Sequence, residues 1–207
     1  MATRADQNFR DWDGDVLNHF ESRRTGRPVP YIPKPDTYFL VQTISGDCAM
    51  GAGIAKEINK RYGFRDILVK EYAFGVLGLP VDGWQAVGGE FKRIDQRTGA
   101  IQKIVLDRAI GDIVMNERKN GDILALVTKR HYWDKPTEAT MEKALDKLRE
   151  FVDLTIGYSD PGLIELIMPR IGCGLDRMDW EVVKGLLILK FSDLLETGQV
   201  MITAMHK

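Results

Sequence analysis

Thr37 to Ile44 reads TYFLVQTI, rich in β-branched and aromatic residues, and runs directly into the glycine-rich stretch SGDCAMGAG. An apolar run bounded by a turn signal predicts a buried strand. The period then changes: Ile54, Ile58 and Tyr62 are spaced by four, which predicts a helix with Gly63 as its stop. Upstream, residues 1–36 show neither period. Arg23, Arg24, Arg27, Pro28, Pro30, Pro33 and Pro35 suit an irregular, extended path. Residues 64–111 are ambiguous, except that Thr98-Gly99 separates GGEFKRID from AIQKIVLD as a hairpin turn would. A second hairpin is predicted where Asn120-Gly121 joins DIVMNER to ILALVTK. Thr137 is placed to cap a helix whose apolar positions are Met141, Ala144, Leu145, Leu148 and Phe151. LIELIMP at 163–169 reads as another buried strand and enters a second glycine-rich turn, RIGCGLDR. Asp179 is placed to cap the last helix, with Trp180, Val183, Leu187 and Leu194 on one face, and QVMITA at 199–204 ends the chain as a strand. Strands alternating with helices predict an α/β layer fold, and the hairpins predict a mixed sheet, in one domain without an internal linker.

Composition narrows the function classes. The chain has 207 residues, with 29 Lys and Arg against 30 Asp and Glu, a net charge of −1. That balance argues against nucleic-acid binding through bulk positive charge, though not against recognition of one modified nucleotide in a pocket. No apolar run is long enough to span a membrane, and the polar start, Met1 to Asp15, has no secretory signal character. Two cysteines, Cys48 and Cys173, are too few for a disulfide framework, so free thiols in a reducing cytoplasm are expected. No His, Cys and Asp spacing suggests a metal site, and no cofactor is expected.

The candidate chemistry gathers at strand ends. SGDCAMGAG follows one strand, RIGCGLD follows another, and Lys129 is the last residue of ILALVTK. Ligands of α/β sheets bind beyond the carboxyl ends of strands, so three adjacent parallel strands would line one crevice with these segments. Gly46, Gly51 and Gly53 stand at or before a helix start, where unpaired amides and the helix dipole favour a phosphate. Gly172-Cys173-Gly174 offers a second set of amides. Either turn alone is ordinary strand–helix punctuation, but the pair points to a diphosphate. Neither the P-loop nor the dinucleotide fingerprint is present.

At these segments the chain resembles the macrodomains. The closest likeness is to the branch that holds the terminal ADP-ribose protein glycohydrolase and the DNA ADP-ribosyl glycohydrolase antitoxins. ISGDCAMGAGIA (44–55), LVTKRHYWDKPT (126–137) and MPRIGCGLDRMDW (168–180) carry the resemblance, and Gly14-Asp15-Val16-Leu17 matches the first-strand motif. It covers roughly residues 10–75 and 112–207, with insertions expected at about 18–36 and 75–111. The resemblance implies a three-layer α/β/α fold with a mixed central sheet, and an ADP-ribose site. Asp15 would contact the adenine amino group. Ser45, Gly46, Asp47, Cys48, Met50, Gly51, Ala52, Gly53 and Ile54 would hold the distal ribose and diphosphate. Ile171, Gly172, Cys173, Gly174 and Leu175 would hold the diphosphate from the other side.

In the hydrolase branch, a lysine at the position of Lys129 attacks the anomeric carbon of the distal ribose, and an aspartate at the position of Asp176 serves as acid and base. The implied activity is an ADP-ribosyl hydrolase acting on ADP-ribosylated protein or DNA. Its alternatives are an O-acetyl-ADP-ribose deacetylase or ADP-ribose 1″-phosphate phosphatase, and a non-catalytic ADP-ribose reader. A monomer without membrane contact is expected. Read without the resemblance, Lys129 is a strand-end lysine reaching solvent, and Asp176 a turn residue. An attacking amine must first lose its proton, which desolvation favours and a neighbouring carboxylate opposes. His131 and Trp133 either flank the distal ribose or pack the loop. Arg170 and Arg177 read as solvated, and His19 and His206 as unpartnered. Cys48 and Cys173 read as small packing residues, since no base stands beside either.

Overall fold

The computed structural model describes residues 3–26, 35–72, 77, 83–87, 90–95, 97–116, 122–159 and 162–206. In chain order its elements are α1 (Arg4–Asn8), β1 (Phe9–Asp13), α2 (Val16–Arg24), β2 (Thr37–Ser45), α3 (Gly53–Tyr62), α4 (Phe64–Glu71), β3 (Gln85–Val87), β4 (Glu90–Ile94), β5 (Ile101–Ile104), β6 (Ile113–Asn116), β7 (Asp122–Lys129), α5 (Glu138–Ser159), β8 (Ile164–Pro169), α6 (Trp180–Thr197) and β9 (Val200–His206).

The main sheet has the order β1-β9-β8-β2-β7-β6. Every neighbouring pair is parallel except β6 with β7. Its central strands are apolar on both faces because helices cover both. Phe39 and Val41 of β2 face the layer of α5 and α6, whereas Leu40 and Ile44 face the layer that includes α2, α3 and α4. The fold is the expected three-layer α/β/α sandwich with a mixed sheet.

The two hairpins part company. β6 and β7 pair antiparallel inside the main sheet, with Ile113 opposite Leu126; the Asn120-Gly121 turn lies outside the described residues. The Thr98-Gly99 hairpin forms as read, with Gly99 at φ 69° and the Asp95 amide donating to the Ala100 carbonyl at 2.9 Å. Yet β4 and β5 join β3 in a separate three-stranded sheet. The reason is their one-sided burial. Phe91 and Ile104 are buried in the α4-side core, but Ile94 and Ile101 are exposed, so the hairpin cannot occupy a two-faced position in the main sheet.

The irregular start expected for residues 1–36 is corrected over its described part. Thr3 and Asp6 form a capping box for α1, β1 pairs with β9 at the sheet edge, and Asp15 caps α2. Helix α2 escapes detection because two of the residues it buries against the sheet are polar. His19 and Arg23, one turn apart, both reach Glu165 on β8: His19 Nε2 lies 3.1 Å from Oε1 and Arg23 Nε 2.6 Å from Oε2. Thr203 Oγ1 also donates to Oε1, at 2.7 Å. His206 likewise has a partner, Asp13, at 3.1 Å, so neither histidine is unpartnered.

Burial pushes the Glu165 carboxyl up. The His19 hydrogen bond, the Arg23 charge and the Thr203 hydroxyl outweigh that, and it stays below its ordinary value. A carboxylate depressed in the folded state contributes stability above the unfolded value of about 4.3 and loses it on acidification. Glu165→Leu strands the buried Arg23 guanidinium, removes the acceptor of His19 and Thr203, and is expected to cost about 3–5 kcal/mol. Urea unfolding at pH 7 checks the loss, which should shrink as the pH falls below about 4.

Candidate functional site

β8, β2 and β7 are adjacent and parallel, so their carboxyl ends bring the three candidate segments together. Ser45 stands opposite Lys129 in register, across an irregularity in the ladder between Ile44 and Ser45. The first turn divides into two parts. Residues 46–48 build the turn itself. The Gly46 amide donates to the Lys129 carbonyl at 2.8 Å, and its carbonyl accepts from the Arg108 amide at 3.0 Å. A Cβ on Gly46 would lie 2.4 Å from the Arg108 carbonyl oxygen, so close backbone approach requires glycine there. Asp47 ties two loops: Oδ1 accepts from Ser45 Oγ at 2.5 Å and the Ala49 amide at 3.3 Å, and Oδ2 accepts from the Tyr132 amide at 3.0 Å. Cys48 is fully buried, and burial pushes its thiol up to about 12.

The second part of the first turn faces a cavity of about 720 Å³. Ser45, Met50, Gly51, Ala52, Gly53 and Ile54 line it. Ala52 occupies the N-cap of α3 and supplies no side-chain cap, so the first amides of that ten-residue helix open toward the cavity.

Ile171, Gly172, Gly174 and Leu175 form the facing wall. The turn that carries them is braced by three main-chain bonds: Cys173 to Arg170 at 3.2 Å, Met178 to Gly172 at 2.9 Å and Arg177 to Gly174 at 3.2 Å. Its two glycines differ. Gly172 has φ 74°, and a Cβ there would sit 2.7 Å from Met141 Cε. A Cβ on Gly174 would meet nothing within 4 Å. Cys173 donates to the Ile171 carbonyl at 3.2 Å and faces a neighbouring groove; partial burial lifts its thiol to about 11, so it is no thiolate nucleophile.

Lys129 and Asp176 meet in the wall of the cavity. Lys129 Nζ donates to Asp176 Oδ1 at 2.5 Å and to the Tyr132 carbonyl at 3.3 Å. Their side chains are 12% and 14% exposed, so the pair is shielded but within reach of a cavity-bound molecule. The cavity shares Gly53, Ile54, Arg170 and Gly174 with a second groove lined by Asp15, Val16 and Leu17, none of which lines the first. Asp15 Oδ1 accepts from the Leu17 and Asn18 amides at 3.0 and 3.1 Å. The candidate site is thus a cavity that holds the amine–carboxylate pair, adjoining a groove that holds Asp15 and sharing a trough wall with it.

Three features of this trough lie beyond the sequence reading. Arg170 is not simply solvated: it grips Asp11 with Nε at 3.1 Å and a terminal nitrogen at 2.9 Å, while Trp180 Nε1 donates to the same carboxylate at 2.8 Å. Burial pushes Asp11 up, but the Arg170 and Trp180 hydrogen bonds hold it below its ordinary value. Asp11 sits on β1, a strand the sequence did not reveal. Tyr132 lines the cavity, whereas His131 and Trp133 stack on each other at 4.6 Å. Lys135 also reaches the cavity, donating to the Leu175 carbonyl at 2.5 Å. Among the described residues no group of three or more His, Cys, Asp or Glu side chains converges as a metal site, and no helix is long and apolar enough to cross a membrane.

No protein-family model matches the chain. It is 28% identical over 153 residues to the ADP-ribose glycohydrolase OARD1 of Bos taurus, covering 74% of each chain. Among solved structures, it superposes on the macrodomain of Mycobacterium tuberculosis DarG with a TM-score of 0.59, at 19% identity over 96% of this chain and 97% of that one. It also superposes on Thermosipho africanus DarTG in complex with ADP-ribose, with a TM-score of 0.59 and 15% identity over 99% of this chain and 43% of that one.

Proposed function

We propose that this chain, a macrodomain by its fold and by the order of its motifs, is a hydrolase that removes ADP-ribose from a modified macromolecule. The observation that carries the reading is the shielded Lys129–Asp176 pair in the wall of a two-turn trough. A reader of ADP-ribose needs the trough but has no use for an amine held against a carboxylate at the distal-ribose end. The likeness to OARD1, whose name states a glycohydrolase, supports the same choice.

In this reading the adenosine lies in the groove beside Asp15 and Trp180. The diphosphate passes between the α3 amides and Gly174, and the distal ribose ends at Lys129. Asp176, in contact with Nζ, takes a proton from the ammonium. The freed amine forms a C–N bond at the anomeric carbon as the bond to the acceptor breaks, and the acceptor departs with a proton from Asp176. Opening of the ribose ring, its oxygen protonated, turns the adduct into an imine on Lys129. Water adds to the imine carbon, the C–N bond breaks, and ADP-ribose leaves with the lysine regenerated. One difficult displacement becomes two easier ones.

The test is a release assay with ADP-ribosylated protein and ADP-ribosylated DNA side by side. Release from either supports the reading, and release from neither returns the chain to the readers. The adenosine end has its own check. Asp15→Asn keeps the cap of α2, since asparagine is as good an N-cap, but removes the charge. ADP-ribose affinity should fall by about 1–3 kcal/mol by calorimetry. An unchanged dissociation constant would place the adenine away from Asp15.

A further inference from the structure

Lys135 has no part in the chemistry above, yet it is joined to the wall that carries Asp176. Its stem leaves from a fixed point. Pro136 behind it is buried and restricts its backbone, and Thr137 caps α5 by accepting from the Thr140 amide at 3.2 Å. The ammonium donates to the Leu175 carbonyl at 2.5 Å. That carbonyl stands at the corner of the turn closed by Arg177 and Gly174, outside the turn's own main-chain bonds. The Leu175 side chain leans toward the first turn, where a Cβ on Gly53 would come within 3.4 Å of Cδ1. Asp176, the other corner residue, is bound by Lys129. Each of the two consecutive corner residues is therefore tied to a lysine: Asp176 to Lys129 at the end of β7, and the Leu175 carbonyl to Lys135 six positions later.

A short carboxylate side chain on an exposed turn corner owes its place to whatever fixes that corner. Lys129 cannot do this alone during the reaction, because its amine must leave Asp176 to attack. We propose that Lys135 is a positioning residue: it clasps the Leu175 carbonyl so that Asp176 keeps its place while Lys129 bonds to the ribose. The clasp is drawn from the resting geometry, and its catalytic consequence rests on the hydrolase reading.

Lys135→Met keeps the apolar stem and removes the donor, and Lys135→Arg restores a donor of similar reach. Amide hydrogen exchange at Arg177 and Met178, measured without substrate, should quicken several-fold in the methionine variant and return toward wild type in the arginine variant. Single-turnover release at saturating substrate should fall about tenfold in the methionine variant, from a displaced Asp176, and recover in the arginine variant. Unchanged exchange in Lys135→Met overturns the clasp whatever the activity shows. Faster exchange with undiminished release overturns the positioning role. A wild type that releases no ADP-ribose from any acceptor sinks the hydrolase reading instead, and the exchange data still decide the clasp.

Discussion

Under the proposed mechanism, Lys129→Ala is expected to lose hydrolysis by about three orders of magnitude or more while still binding ADP-ribose, because the substitution removes the proposed attacking atom and leaves both cavity-lining turns in place. Lys129→Arg should be equally inactive, since a guanidinium keeps its proton and cannot attack. Asp176→Asn separates the two halves of the pair. The amide can still accept from Nζ, so the geometry survives, but it cannot take the proton, and release should fall with little change in affinity. Single-turnover release measured beside calorimetry on the same proteins checks all three. Full activity in Lys129→Ala would leave a hydrolase that works through water alone.

Gly174→Val is expected to abolish measurable ADP-ribose binding, a loss of at least about 100-fold, or about 2.7 kcal/mol. The size of the effect follows from where the new atoms go. A Cβ on Gly174 meets no protein atom within 4 Å, so the fold bears little cost and the obstruction falls on a ligand in the trough shared by the cavity and the groove. Gly172→Val is the contrasting control. At φ 74°, with Met141 Cε 2.7 Å from the new Cβ, it should lower the melting temperature whether or not ligand is present. Thermal melts with and without ADP-ribose distinguish the two, and full affinity in a folded Gly174→Val would reduce the second turn to a structural connection.

The pattern of hydrophobic positions reveals the parts of this molecule whose burial is apolar. β2, β7 and β8 are mostly apolar runs because helices cover both their faces, and α5 and α6 show their buried stripes plainly. Helix α2 is hidden because what it buries includes His19 and Arg23, and only the position of Glu165 on β8 explains them. β1 is hidden because an edge strand of five residues with one covered face carries too little apolar signal. Within the site, the glycine-rich turns and Lys129 stand at strand ends, which the alternation of elements exposes. The division of labour inside the first turn does not show in the sequence: Gly46, Asp47 and Cys48 look like their neighbours but face the Arg108 and Tyr132 backbone or the core instead of the cavity. Arg170 depends on Asp11, 159 positions away, and Lys135 on Leu175, 40 positions away, pairings that only the folded chain brings together.

The central claim is a covalent bond between the ribose and one lysine, and borohydride trapping tests it most directly. Wild-type protein mixed with ADP-ribose or a modified acceptor and then reduced should gain the mass of one ADP-ribosyl group plus the two hydrogens of reduction, as a stable secondary amine. Peptide mapping should place it on Lys129 and not on Lys135, and Lys129→Ala should gain none. A reduced adduct on Lys135, or an active wild type that never yields an adduct, would contradict the account.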